Sequence, residues 1–284
     1  MLHTIDVAQA GPRGKEMGEA VTACVHCGFC LPSCPTYHTL QEEMDSPRGR
    51  IFLIKDVLEG SLPLEQALPY VDRCLGCLGC VTACPSGVKY DELITSFRGF
   101  AEPRRKRSVA DRFVRQIVLQ TLPYPGRFRT AARLGLLFSP LAALMPGRLK
   151  NMLHMLPPRL EKADPLDEVY PAVGARRARV ALLAGCAQQV LAPRINRATI
   201  EVLTRNGVEV VVPSQQGCCG ALGAHTGAMD QAVESAKRNV AAFRGEFDAV
   251  ITNAAGCGSG MHEYPLWLKD EPEADAAREL AKKV

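Results

Sequence analysis

Four thiols at one fixed spacing, given twice, constrain this chain more than any other feature. The run Cys24-x-x-Cys27-x-x-Cys30-x-x-x-Cys34-Pro35 returns fifty residues later as Cys74-x-x-Cys77-x-x-Cys80-x-x-x-Cys84-Pro85. Two-residue gaps let one tight loop present three thiolates to a single tetrahedral object, and the fourth must arrive from elsewhere. In the bacterial two-cluster pattern that fourth thiolate is exchanged between the runs. The spacing predicts two [4Fe–4S] cubanes, one on Cys24, Cys27, Cys30 and Cys84, the other on Cys74, Cys77, Cys80 and Cys34. Pro35 and Pro85 are expected to turn the chain away after each fourth ligand. Gly28, Gly76 and Gly79 are expected to relieve crowding where backbone approaches the inorganic core. His26 reads as a loop residue, not a ligand.

Two other chemistries use many cysteines. A zinc ribbon sets its two C-x-x-C pairs about fifteen to twenty residues apart, whereas this gap is wider and each run holds four thiols. A disulfide scaffold is short and secreted. This chain has 284 residues, and its first twenty show neither the apolar stretch nor the cleavage site of a secretory signal. A reducing, cytoplasmic setting is the expectation. The most apolar stretch, Leu134 to Met145, falls short of the roughly 20 residues a bilayer needs, and Pro140 interrupts it. That predicts a soluble protein, or one peripheral on the inner face of the cell membrane. The formal charge of +4 would be roughly cancelled by two thiolate-bound cubanes at about −2 each, so it gives no argument for a nucleic-acid partner.

The chain reads as an α+β, multidomain protein in three parts. Residues 14–100 form a small helical two-cluster module, with helices over Gly14 to Ala23, Arg48 to Leu58, Pro63 to Val71 and Tyr90 to Phe100. Ser46-Pro47 supplies an entry signal for the second helix. So small a module leaves the clusters themselves much of the core. Residues 101–178 are a basic, proline-rich connector. It opens on Arg104-Arg105-Lys106-Arg107, prolines recur through it (Pro146 among them), and short amphipathic helices fill Phe113 to Leu122, Phe128 to Leu137 and Arg148 to Leu156. It reads either as a layer packed on its neighbours or as a basic amphipathic surface for an anionic membrane or a partner subunit.

Residues 179–284 change pattern again. Strands are expected at Val180 to Ala184, Val208 to Val212 and Ala249 to Thr252, with helices over Ala192 to Asn206 and Met229 to Phe243. That βαβαβ order implies a parallel sheet. Cys186, the pair Cys218-Cys219 and Cys257 each follow a strand, at the carboxyl edge where such sheets place ligands. A third metal centre, a redox-active thiol site and a group of buried small side chains are the three readings of these cysteines. His225 lies on the same side as Cys219 and is a further candidate there. The last stretch, Glu271 to Val284, is charged and helical and carries no terminating signal, as in a chain cut from something longer.

Residues 21–37, 45–59 and 72–90 resemble the iron–sulfur subunit of glycolate oxidase (glycolate dehydrogenase), with Asp45 to Ile51 pointing most directly to that group. The spacing from Cys186 through Cys218-Cys219-Gly220 to Cys257 resembles the cysteine-rich CCG domain shared with heterodisulfide reductase and with lactate-utilisation and anaerobic glycerol-3-phosphate iron–sulfur proteins. Two departures stand out. Gly260 occupies the place of the motif's last cysteine, and this chain has room for one CCG repeat where relatives carry two. The resemblance implies an electron-transfer subunit without a flavin or nicotinamide site of its own. A flavin-containing partner would take a hydride from glycolate, and electrons would pass singly through two [4Fe–4S] clusters to a quinone or another membrane acceptor. Alternatives are the same role for lactate or glycerol 3-phosphate, or thiol–disulfide reduction at Cys218-Cys219.

Overall fold

The computed structural model describes residues 2–145 and 147–284; Met1 and Pro146, one of the expected helix breakers, lie outside the described residues. The chain divides into two compact units, Met1–Arg107 with Gly223–Met229, and Ser108–Leu222 with Asp230–Val284.

In the first unit, α1 (Gly14–Ala23), α3 (Pro47–Leu58), α4 (Leu64–Arg73) and α6 (Tyr90–Ala101) carry the helical periodicity read from the sequence. Two short helices, α2 (Pro35–Leu40) and α5 (Gly79–Thr82), were not expected. The Ser46 hydroxyl accepts the Gly49 amide at 2.9 Å and Pro47 occupies the first turn, so α3 starts where its entry signal stands. Val21, Ile54, Val71, Leu93 and Phe97 are fully or almost fully buried between these helices, together with Cys24 and Cys80. Each large buried side chain contributes roughly 1.5–3 kcal/mol, and Cys24 and Cys80 belong to the same core.

The second unit opens with α7 (Val109–Thr121), α8 (Pro125–Phe138), a 3-10 segment (Ser139–Leu144) and α9 (Gly147–His154). Then come β1 (Val169–Tyr170), β2 (Ala178–Leu183), α10 (Gln188–Leu191), α11 (Arg194–Arg205), β3 (Val208–Val211), α12 (Ala221–His225), whose residues 223–225 belong to the first unit, α13 (Met229–Ala242) and β4 (Ala249–Thr252). α14 (Ala255–His262), α15 (Tyr264–Trp267) and α16 (Ala274–Ala281) complete the chain.

The strand order is β1-β3-β2-β4. β3, β2 and β4 run parallel, while β1 adds antiparallel to β3 through Val169 opposite Val211. The sheet is therefore mixed, not purely parallel. Two residues of strand are too short to leave a period-2 signature, which is why β1 was not legible. The Val250 amide donates to the Lys283 carbonyl at 2.7 Å, and Ala277 and Leu280 of α16 are buried. The charged terminal stretch is thus docked at β4. Phe128 and Ala132 of α8 pack on Val190 of α10, so part of the middle stretch is a layer of the second unit.

Candidate metal centres

Both cysteine runs fold alike. His26 and Gly28 have φ of 55° and 86°, and the equivalent Gly76 and Leu78 have 63° and 59°. Left-handed backbone at alternate positions turns successive amides to one side of the loop, a concave arrangement suited to an anion. Gly79 does not share this role. It begins α5, and a Cβ there would meet the Ser33 carbonyl at 3.4 Å and the Ser33 Cβ at 3.9 Å, both ordinary contacts. Pro35 likewise begins a helix with Cys34 as its N-cap residue. The ring of His26 packs edge-on against Phe52.

Cys24, Cys27, Cys30 and Cys84 line one cavity, and Cys34, Cys74, Cys77 and Cys80 line a second; Cys80, Pro47 and Tyr90 line both. All twelve cysteines of the chain are free thiols. Among the described residues no three or more His, Cys, Asp or Glu side chains meet closely enough for one metal ion. The thiols of the two runs border two cavities.

A buried ionic network stands behind Cys34. Asp45 and Arg50 side chains are each 1% exposed, and Arg50 donates to Asp45 Oδ1 at 3.1 Å. Arg73 grips the same carboxylate with Nε at 2.9 Å and a terminal nitrogen at 2.8 Å. Arg50 also donates to the Tyr70 carbonyl at 2.7 Å, to Thr36 Oγ1 at 3.0 Å and towards Cys34 Sγ at 3.8 Å. Gly49 makes this possible, because a Cβ there would lie 2.0 Å from the Glu43 carbonyl and hold off the turn that carries Asp45. The stretch Asp45-Ser-Pro-Arg-Gly-Arg is thus a cap, a close approach and a buried ion pair in six residues. Burial pushes the Cys34 thiol up, yet Thr36, the Tyr37 amide and Arg50 together bring it below its ordinary value. Burial raises Cys24 and Cys30, and it raises Cys80 to about 12 with help from neighbouring thiols. The Tyr90 hydroxyl donates to Cys74 Sγ at 3.6 Å and the Val88 amide to Cys84 Sγ at 3.5 Å. Glu43 holds Arg48 through two hydrogen bonds of 2.8 and 3.1 Å, and Arg48 reaches the His26 carbonyl at 3.1 Å.

In the second unit, Cys186 follows β2, Cys218 and Cys219 follow β3, and Cys257 stands in the first turn of α14 after β4. Their thiols form a hydrogen-bonded row in that order. The bond to Cys218, then burial, pushes Cys186 up. The bond from Cys186 pulls Cys218 down, but Cys219 and burial carry it to about 11. Cys219, pulled down by Cys218, is carried to about 12 by Cys257 and burial, and the bond from Cys219 draws Cys257 down.

Residues that the sequence reading did not single out hold this row. Asn239 is fully buried: its Oδ1 accepts the Gly217 amide at 2.9 Å, and its Nδ2 donates to the Cys218 carbonyl at 2.9 Å and to the Tyr264 hydroxyl at 3.0 Å. Tyr264 in turn donates to the Cys219 carbonyl at 2.8 Å. Asn196 donates to the Ala184 carbonyl and accepts from Gln188 and Asn253, while Gln216 bridges to Ala184 and Leu182. These amides bind the three strand-end loops together. Gly220, at φ 85°, has the Ala232 carbonyl 3.1 Å and the Trp267 ring 3.2 Å from where a Cβ would stand. At Gly260 a Cβ would lie 2.8 Å from that of Ala221, so the place of the motif's last cysteine is filled by packing. His225 falls in the first unit, where its Nδ1 would lie 3.9 Å from a Cβ at Gly76; burial, then the Arg98 charge, lowers its pKa. A cleft of about 840 Å³ in the second unit is lined by side chains such as Arg129, Asn196, Arg197 and Gln216, and the thiols lie elsewhere.

Comparison with known proteins finds two families. The 4Fe-4S dicluster domain family matches residues 20–88 and the cysteine-rich domain family CCG matches residues 180–262. The glycolate oxidase iron-sulfur subunit of Escherichia coli (strain K12) is 38% identical over 274 residues, covering 95% of this chain and 65% of that protein. The probable glycolate oxidase iron-sulfur subunit of Bacillus subtilis (strain 168) is 39% identical over 267 residues, 88% of this chain and 60% of that protein. Lactate utilization protein A of Bacillus pumilus is 35% identical over 107 residues, 37% of this chain and 44% of that protein. The chain thus spans somewhat less than two thirds of the length of the curated relatives that it matches over most of its own. No solved structure matches. Over most of its length the chain is similar to glycolate oxidase iron–sulfur subunits, with a match to the 4Fe–4S dicluster domain followed by one to the cysteine-rich CCG domain.

Proposed function

We propose that the chain is the electron-transfer component of a glycolate dehydrogenase, working beside a flavoprotein subunit that removes two electrons and two protons from glycolate to give glyoxylate. The observation that carries this reading is the pairing of two four-thiol cavities with a relative of that name aligned over 95% of the chain. Cys24, Cys27, Cys30 and Cys84 would hold one [4Fe–4S] cluster, and Cys74, Cys77, Cys80 and Cys34 the other. Such clusters, when bound, take and give single electrons. The protein's own part is to orient the thiolates through the left-handed loops, to exclude water with the apolar core, and to set local charge through Arg48, Arg50 and Arg98. Arg98 donates to the Val71 and Cys74 carbonyls at 3.0 and 2.6 Å and so steadies the second loop. Cys186, Cys218, Cys219 and Cys257 are the candidates for a third iron–sulfur or redox centre.

The acceptor in this proposal is a quinone or another membrane-held carrier, reached at an anionic lipid surface. Between residues 109 and 159 there are eight arginines and lysines and one acidic residue. The same stretch leaves Phe113, Leu137, Leu144 and Met155 between 66% and 85% exposed. Among the described residues no helix is long and apolar enough to cross a membrane, and basic residues beside exposed apolar ones suit interfacial binding.

The test is to co-purify the chain with its flavoprotein and follow the cluster absorbance anaerobically. Glycolate should bleach it. Bleaching by lactate or glycerol 3-phosphate alone would move the chain to a sister activity, and no bleaching by any of the three would overturn the proposal.

A further inference from the structure

The two four-thiol cavities differ in the charge built around them. Beside the first set, the Arg48 cation is answered by the Glu43 carboxylate, and the pair sums to zero. Beside the second, Arg50 and Arg73 share the single carboxylate of Asp45, with the exposed Glu42 acting more weakly on Arg73, and Arg98 donates to the Cys74 carbonyl at 2.6 Å, so positive charge is in excess. Arg50 is 1% exposed and points a nitrogen at Cys34 Sγ from 3.8 Å. Charge in such a buried place is poorly screened. Hydrogen bonds to sulfur fall on both sides, from the Tyr90 hydroxyl to Cys74 Sγ at 3.6 Å and from the Val88 amide to Cys84 Sγ at 3.5 Å, and do not separate the cavities. Hydrogen bonds to sulfur, net charge and burial are the quantities that tune such clusters. Burial of Cys80 acts against reduction, but Cys80 stands in the wall of both cavities and does not separate them.

We propose that Arg50, with Arg73 and Asp45, makes the Cys34–Cys74–Cys77–Cys80 cluster the more oxidising of the two, so that an electron entering the module comes to rest there. The step moves one electron. The Cys24–Cys27–Cys30–Cys84 side is oxidised by one, the Cys34 side is reduced by one, and no bond or proton changes place. Arg50 acts here as a tuning residue, and the inference rests on the ligand sets proposed above. It adds a direction to the electron path that the cysteine spacing cannot supply, because the two runs have the same spacing.

The experiment is a redox titration of the iron-loaded protein followed by electron paramagnetic resonance. The parent should show two separate midpoints. Arg73→Gln should lower the higher one and leave the other in place. Arg50→Gln should do the same more strongly, and Asp45→Asn should raise it. Arg48→Gln should move only the lower one. Arg50 is buried and its replacement puts loading at risk; Arg73 is 44% exposed, so its variant carries the test if Arg50→Gln does not load. A parent without iron and sulfide sinks the cubane reading and this inference with it. A fully loaded parent with coincident midpoints, or an Arg73→Gln protein whose higher midpoint stays put, overturns this inference alone.

Discussion

The first unit gathers its thiols from neighbours in sequence, three to a loop, whereas the second draws four thiols from three loops spread between residues 186 and 257. In the first, local backbone does most of the work. Left-handed residues at matched positions shape each loop, and one distant cysteine per set closes it. In the second, three parallel strands of a mixed sheet bring the strand ends together, and buried amides and one tyrosine hold the loops in register. The proposed sets of the first unit each depend on one crossed cysteine, whereas the row in the second unit is supported by Asn239, Tyr264 and Asn196.

The largest expected effect tests the crossing. Cys84→Ser removes a thiol from one cavity while its loop also borders the other. Because ligand binding is folding free energy in such modules, iron content should fall by roughly half or more, and both loops should become accessible to protease. Unchanged protease resistance of the second run would break the comparison.

Next comes Asn239→Ala, which strands the Gly217 amide and the Cys218 carbonyl at a buried place and leaves the Tyr264 hydroxyl only its bond to the Cys219 carbonyl. Unfolding of the second unit should become easier by about 2–4 kcal/mol, read by calorimetry, with the resonance signals of the first unit unaltered. A third change, Gly260→Cys, places a side chain against Ala221. Overpacking should cost about 1–3 kcal/mol with no added iron. Pairing it with Ala221→Gly should recover stability, and iron analysis of the double variant shows whether the fifth thiol can serve.

The smallest effect is pH-dependent. The Arg48 hydrogen bond, more than any other influence, holds the Glu43 carboxyl below its usual value of 4.5. Its contribution is therefore present above about that pH and lost as pH falls through the depressed value. Thermal melts of the parent and Glu43→Gln should differ at neutral pH and converge on acidification. Solvent screening keeps the difference under about 1 kcal/mol.

Much of this protein is legible in one dimension. Cysteine spacing determined the two cluster loops, because three ligands within seven residues leave few ways to fold. Ser46-Pro47 determined where α3 begins, and the alternation of short apolar runs with amphipathic stretches determined three parallel strands. What the sequence could not determine was decided by contacts between distant residues. β1 exists because Val169 meets Val211. Asn239 and Tyr264 matter because a sheet and two helices bring them behind Cys218 and Cys219. The two cysteine runs, alike in spacing, become unlike only in three dimensions, where Asp45 is shared by two arginines and Glu43 by one. Spacing is a local property that chain geometry enforces, whereas the net charge beside a thiol is a sum over whatever the fold brings within reach.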